Sequence, residues 1–338
     1  MNQDNIFRLL DIEKETLSDL HIIRLFSAFA AVSRGKVMKM TDPVMTYCPL
    51  ARHLYRYLDV SPHTRMDEVK ALIAQGVEEK IEKFGFFTEK RKISQKGIAI
   101  PYGASEILMY ALRKKIIDAA VVVCEGAGSV IVRNPDVVQG IGARMNGLFY
   151  TTPILRLIQR LEELNCHIPF PDGAIDQAGA AEQAARLGYR NIAVTVNSCT
   201  EEPLALFADI EKKYGASVAT FMVCATGVDE PRIEEMSKWS DVVWSCASGE
   251  VREAIGRSAV LQITRKIPVF VLTQKGLAVV SGYCGNERLL RNLDTKRQYL
   301  IAGDCGGEKI TMGRFKTYLR EHELPVRSSD EPRIGAHD

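Results

Sequence analysis

The stretch NIAVTVNSCTEEPLALFADIEKKYGASVATFMVCATG, residues 191–227, decides the reading of the fold. Two apolar runs of strand length, 191–197 and 217–223, flank a segment of helix length, 201–214. A strand that returns through a helix to a second strand makes a crossover, and crossovers join parallel neighbours. The same rhythm precedes the stretch, with a helix over 174–188. It continues after it, with a helix over 231–239, a strand over 241–245, a helix over 249–256 and a strand over 268–272. The pattern predicts a Rossmann-like parallel sheet with flanking helices, an α/β class.

Working outward, Asp118 to Cys124 is an uninterrupted apolar run of the kind found in a strand covered on both faces, and Ser129 to Val132 is a second short strand. Apolar spacing predicts helices over 5–27, 66–84 and 104–115. Thr151-Thr152-Pro153 opens another, with Pro153 in the first turn where its missing N–H costs nothing. Ala28 to Met40 reads as a β-hairpin about Arg34-Gly35. The chain therefore divides into an N-terminal α+β portion with a hairpin (1–166), the Rossmann-like domain (167–284) after the Pro- and Gly-rich loop His167 to Gly173, and a C-terminal extension (285–338). The extension is expected to hold a charged helix, a turn at Gly306-Gly307, a helix near 311–322 and a disordered polar tail.

Composition narrows the function. Lys and Arg number 44 against 42 Asp and Glu, a formal charge of +2, so no basic excess marks a nucleic-acid surface. The run Lys90-Arg91-Lys92 reads as a solvated loop. Charged residues interrupt the first twenty positions, which disfavours a signal peptide or membrane helix, and the expected location is the cytoplasm. The eight cysteines are then expected as reduced thiols.

Ligands of open parallel sheets bind beyond the carboxyl ends of the strands. The segments there are Cys124-Glu125-Gly126, Asn197-Ser198-Cys199, Cys224-Ala225-Thr226-Gly227 and Cys246-Ala247-Ser248-Gly249, each with a cysteine. Converging thiolates would suit an iron-sulfur cluster or another soft metal, although no Cys-x-x-Cys pair is present. Cys246, ahead of a helix N-terminus, and Cys124, beside Glu125 as base, are the candidate catalytic residues. Thr226, Gly227, Ser248 and Gly249 are candidate binders of a small anionic molecule, or simply helix caps. Gly140, Gly142 and Gly147 lack dinucleotide-loop spacing, and no nicotinamide cofactor is expected. Pro49 holds Cys48 extended, with His53 nearby in sequence.

The motifs Tyr47-Cys48-Pro49-Leu50, Gly103-Ala104-Ser105-Glu106, Cys124-Glu125-Gly126, Val138-Gln139-Gly140-Ile141-Gly142, Thr151-Thr152-Pro153-Ile154, Ile175-Asp176-Gln177 and Cys246-Ala247-Ser248 together resemble the methanogenesis marker 8 family over roughly residues 28–280. The resemblance implies a link to methyl-coenzyme M reductase or coenzyme M metabolism, with no assigned reaction. It keeps Cys48, Cys124 and Cys246 as a joint thiol or metal-thiolate site and leaves Cys199 and Cys224 as small residues filling the sheet edge. The family pattern also has cysteines where this chain has Phe87 and Ala127. Three functions remain open: an accessory protein or enzyme of sulfur and one-carbon cofactor metabolism, with a protein partner in that metabolism; a metal-free enzyme acting on a small sulfonated or phosphorylated acid; and a non-catalytic interaction subunit.

Overall fold

The computed structural model describes residues 3–14, 18–49, 64–303 and 306–334. The N-terminal strands β1 (His21–Leu25), β2 (Ala28–Ser33) and β3 (Lys36–Met40) form an antiparallel meander, followed by the short β4 (Met45–Tyr47). Strands β5 (Ala119–Cys124) and β6 (Gly128–Val132) form a hairpin, and β7 (Gly147–Thr151) returns to pair with β1. The second half adds β8 (Asn191–Asn197), β9 (Ser217–Val223), β10 (Val242–Trp244), β11 (Leu261–Ile263) and β12 (Val269–Val271). The C-terminal region adds β13 (Tyr299–Ala302), β14 (Glu308–Met312), β15 (Phe315–Glu321) and β16 (Arg333–Ile334).

The large sheet has the order β14-β15-β13-β11-β12-β10-β9-β8-β5-β6. Its central strands β5, β8, β9 and β10 are parallel, as the crossover pattern requires. Alternation along each strand feeds two cores. Ala120 and Val122 of β5, Phe221 of β9 and Val242 of β10 face the helices Ala104–Arg113, Pro135–Gly142, Leu155–Glu163 and Gln274–Ser281. Ala119, Val121, Met222 and Val243 face the helices Gln177–Arg186, Ala205–Tyr214, Glu230–Trp239 and Gly249–Ser258. The result is a sheet with helices on both faces, which is why its strands read as continuous apolar runs.

The expected all-parallel sheet is corrected to a mixed one. After the helix Gly249–Ser258 the chain lays down β11 on the far side, and β12 folds back between β11 and β10, antiparallel to both. A three-residue strand gives too little periodicity to reveal its direction. The helix expected near 311–322 is the hairpin β14–β15, turned at Gly313 with φ +56°. The 5–27 helix is cut to Gln3–Leu10, and β1 follows it. The tail is ordered through Ile334, since β16 pairs with β4 and buried Glu331 bridges to Arg252. The glycines at 140 and 142 lie inside or at the end of a helix, where a Cβ on Gly142 would stand 2.5 Å from that of Ser105. They serve close packing.

Among the described residues, no helix is long and apolar enough to cross a membrane. The small sheet β3-β2-β1-β7 buries one face against the helix Met66–Phe84. Its other face, with Ile22, Phe29 and Phe149, meets Cys199 at the carboxyl edge of the large sheet. That seam is where the candidate site lies.

Candidate functional site

The first strand end, Cys124-Glu125-Gly126, is sealed. Cys124 and Glu125 are fully buried, and Glu125 is ion-paired with Arg91, whose guanidinium also stacks 3.7 Å over the Phe86 ring. Arg91 is therefore a core residue, a correction to the solvated-loop reading of Lys90-Arg91-Lys92. Burial, and then the Glu125 charge, push the Cys124 thiol well above its ordinary range, so it is held as a neutral thiol. Arg91 holds Glu125 Oε1, while Oε2 faces the Cys124 thiol at 3.8 Å, and the neighbouring Gly126 N–H is taken by Thr151 Oγ1 at 2.7 Å. Beside this pair, burial lowers the Lys80 ammonium to about 7. Its Nζ donates to the Arg144 carbonyl and to Asn146 Oδ1.

At the ends of β8, β9 and β10 the arrangement differs. The groups acting on the Cys246 thiol include Cys48 and Cys199, which raise it, and the backbone N–H groups of Ala225 and Cys224, which lower it. Cys224 in turn is acted on by Cys246 and Cys199, with the Gly147 N–H directed at its sulfur. The Cys199 thiol donates to the Cys224 carbonyl at 3.1 Å. Four thiols thus gather at one seam, and Cys48, Cys224 and Cys246 remain partly open to solvent. Burial raises all three strand-end thiols. Cys246 is pushed to about 11, with the Ala225 N–H opposing, whereas Arg24 is the nearest opposing charge at Cys199.

Two local features fix this geometry. Cys224 and Cys246 both adopt left-handed backbones, with φ of 62° and 48°. Each costs roughly 1–2 kcal/mol in a residue with a Cβ and persists where the surroundings impose it. The second feature is Arg24 of β1, whose cross-strand partner is Gly147. Its Nη1 reaches Cys199 Sγ at 2.9 Å and the Thr226 carbonyl at 2.7 Å. A Cβ on Gly147 would stand 3.3 Å from Cys224 Sγ and 3.2 Å from Asn197 Nδ2, a buried amide nitrogen that has no hydrogen-bond partner among the described residues.

The remaining candidates are placed as follows. Thr226 Oγ1 accepts from the Ala247 N–H at 3.1 Å and so joins the turns after β9 and β10, and Ser248 caps its helix by accepting from the Val251 N–H. Gly227, with φ +79°, sits against Arg24. Gly249 opens on a cleft of about 610 Å³ lined by Arg252, Arg327, Arg333 and Glu331. Arg252 also donates to the Cys246 carbonyl, which ties this cleft to the thiol seam. His53 lies outside the described residues.

The structure brings Cys48 and Cys246 into one neighbourhood and leaves Cys124 in another. Among the described residues, no three His, Cys, Asp or Glu side chains stand close enough to hold a metal ion, so the expected Cys48, Cys124 and Cys246 ligand set is not assembled. Cys199 and Cys224, set aside as packing residues, join Cys246 instead. Their strand-end position was the signal that could have kept them. Arg24 had none, because it lies in a segment read as helix and meets Cys199 only through the tertiary fold.

The fold and site define a mixed α/β protein with a thiol cluster at a seam between two sheets. The chain belongs to the family described as uncharacterized protein conserved in archaea (DUF2099), which matches residues 21–282. It is also 34% identical over 265 residues to an uncharacterized protein of Methanocaldococcus jannaschii, an alignment that covers 78% of this chain and 89% of the relative. The family segment includes Arg24, Cys48, Gly147, Cys199, Cys224 and Cys246 and ends before β13.

Proposed function

We propose that the protein is a thiol-dependent accessory protein or enzyme of sulfur and one-carbon cofactor metabolism, linked to coenzyme M or methyl-coenzyme M reductase. The observation that carries this reading is the gathering of Cys48, Cys199, Cys224 and Cys246 at one seam, two of them on left-handed backbones. Non-glycine residues in such conformations cluster at functional sites. The thiol form is preferred to the metal-thiolate form because, among the described residues, the donors do not converge as ligands. Three narrower readings accompany it: the family is that of methanogenesis marker 8, the parallel core is Rossmann-like, and the protein works in the cytoplasm.

A second reading, a metal-free enzyme acting on a small sulfonated or phosphorylated acid, is favoured by Arg24 at the thiols and by the arginine-lined cleft at Gly249. One experiment addresses both. Thermal unfolding of the full chain is followed with 2-mercaptoethanesulfonate, 2-hydroxyethanesulfonate and inorganic phosphate. Stabilisation approaching about 2.7 kcal/mol at a hundred times Kd is expected for the thiol-bearing sulfonate. A response to phosphate and hydroxysulfonate alone favours the second reading. No response to any of the three removes both readings and leaves an interaction subunit, to be sought through a co-purifying protein partner.

A further inference from the structure

Four thiols at one seam need not be equivalent, and their contacts sort them. Cys199 is engaged on two sides, taking the Arg24 guanidinium and donating to the Cys224 carbonyl. Cys246 and Cys224 are related differently. They follow adjacent parallel strands whose register pairs Val242 with Phe221 and Val243 with Met222. Beyond the strands the two turns meet, since Thr226 Oγ1 accepts from the Ala247 N–H at 3.1 Å. Neighbouring strands lie about 4.8 Å apart, and a disulfide needs Cα atoms roughly 4.4–6.8 Å apart. The Cys246 thiol opposes ionisation of the Cys224 thiol, and the backbone N–H of Cys224 lies on the side of Cys246 that favours its thiolate. Both residues hold left-handed backbones that turn the chain at the sheet edge, and both residues are half-buried.

We propose that Cys246 and Cys224 form a dithiol that exchanges with a low-molecular-weight disulfide and closes to an intramolecular bridge. The proposal rests on reading the strand ends as a thiol site. The Cys246 thiolate attacks one sulfur of the disulfide RSSR, forming a Cys246–SR bond while the other half leaves as RS⁻ and takes up the proton that Cys246 lost. The Cys224 thiolate then attacks the Cys246 sulfur and displaces the second RS⁻, which is protonated in turn. One RSSR is reduced to two RSH, and the two electrons come from the two protein thiols. Burial that opposes either thiolate does not oppose the product, because a disulfide carries no charge.

The test uses the full reduced chain without oxygen, incubated with 2-hydroxyethyl disulfide, then quenched by alkylation and mapped by mass spectrometry. The expected product has lost two hydrogens, retains no adduct and yields one linked Cys224–Cys246 peptide. Cys224→Ser is expected to trap a stable adduct on Cys246, and Cys199→Ser to close the same bridge. A persistent adduct on the wild-type chain, a bridge from Cys246 to Cys48 or Cys199, or no reaction under native conditions would overturn the proposal. A chain that closes no bridge but is stabilised by 2-mercaptoethanesulfonate loses the dithiol alone and keeps the thiol site.

Discussion

The carboxyl ends of β5 and of β9–β10 start from one sequence signature, a cysteine closing a buried parallel strand, and finish as opposite environments. At β5 an ion pair between two fully buried side chains, Arg91 and Glu125, closes the strand end, and Cys124 packs beneath it. At β9 and β10 the backbone turns left-handed at the cysteines themselves, and a second sheet supplies Arg24 and Gly147 across a seam. Burial alone makes an inert thiol. Burial combined with a forced backbone and neighbouring thiols is the setting proposed for a site.

The largest test of that contrast is Glu125→Gln. If the β5 end is structural, removing the carboxylate leaves Arg91 as a buried uncompensated cation and should cost roughly 3–5 kcal/mol, read from urea unfolding. A variant of near wild-type stability would show that the ion pair does not seal this edge and would return Glu125 to the candidate catalytic residues.

Next in size is a pH effect beside the same pair. The folded pKa of Lys80 is depressed to about 7, below its unfolded value, so above that pH the unfolded chain binds more protons than the folded one. Stability should therefore rise with pH from about 7 toward the unfolded pKa, by at most about 1.4 kcal/mol per unit. Unfolding midpoints measured from about pH 7 to about pH 9 should show this rise. In Lys80→Met that contribution should vanish, and an unchanged slope would assign it to other groups.

The smallest effect separates the two ends by backbone alone. At Cys224 and Cys246 a change to Gly should leave the chain more stable than a change to Ala by about 1 kcal/mol, because glycine accepts the left-handed conformation. At Cys124, inside an extended strand, Ala should exceed Gly by about 0.5–1 kcal/mol. Thermal unfolding of the six variants checks the reversal. The same order at all three positions would remove backbone strain from the account of the site.

Much of the fold was legible because β8 and β9 are long and apolar and flank a full helix. Their expected limits, 191–197 and 217–223, coincide with those observed. The direction of β12 and the hairpin β14–β15 were not. Val269–Val271 is too short to carry a period, and Phe315, Tyr318 and Leu319 stand at helical spacing although the strand buries Thr317 and Leu319. Of the site, the strand-end cysteines were visible as a group, and Cys246 was singled out together with Cys48. Arg24 was not, being separated from Cys199 by 175 positions and joined to it only by packing of one sheet on another.

By itself the sequence determined a helix-covered parallel core and the placing of a cysteine at each of its strand ends, because local periodicity and crossover geometry depend on residues near one another in the chain. Only the tertiary structure decided which of those cysteines share a neighbourhood. The physical reason is that thiol chemistry depends on what stands opposite the sulfur. Opposite Cys124 that is a sealed Arg91–Glu125 pair, and opposite Cys224 and Cys246 it is a seam built from β1 and β7, brought there by long-range packing.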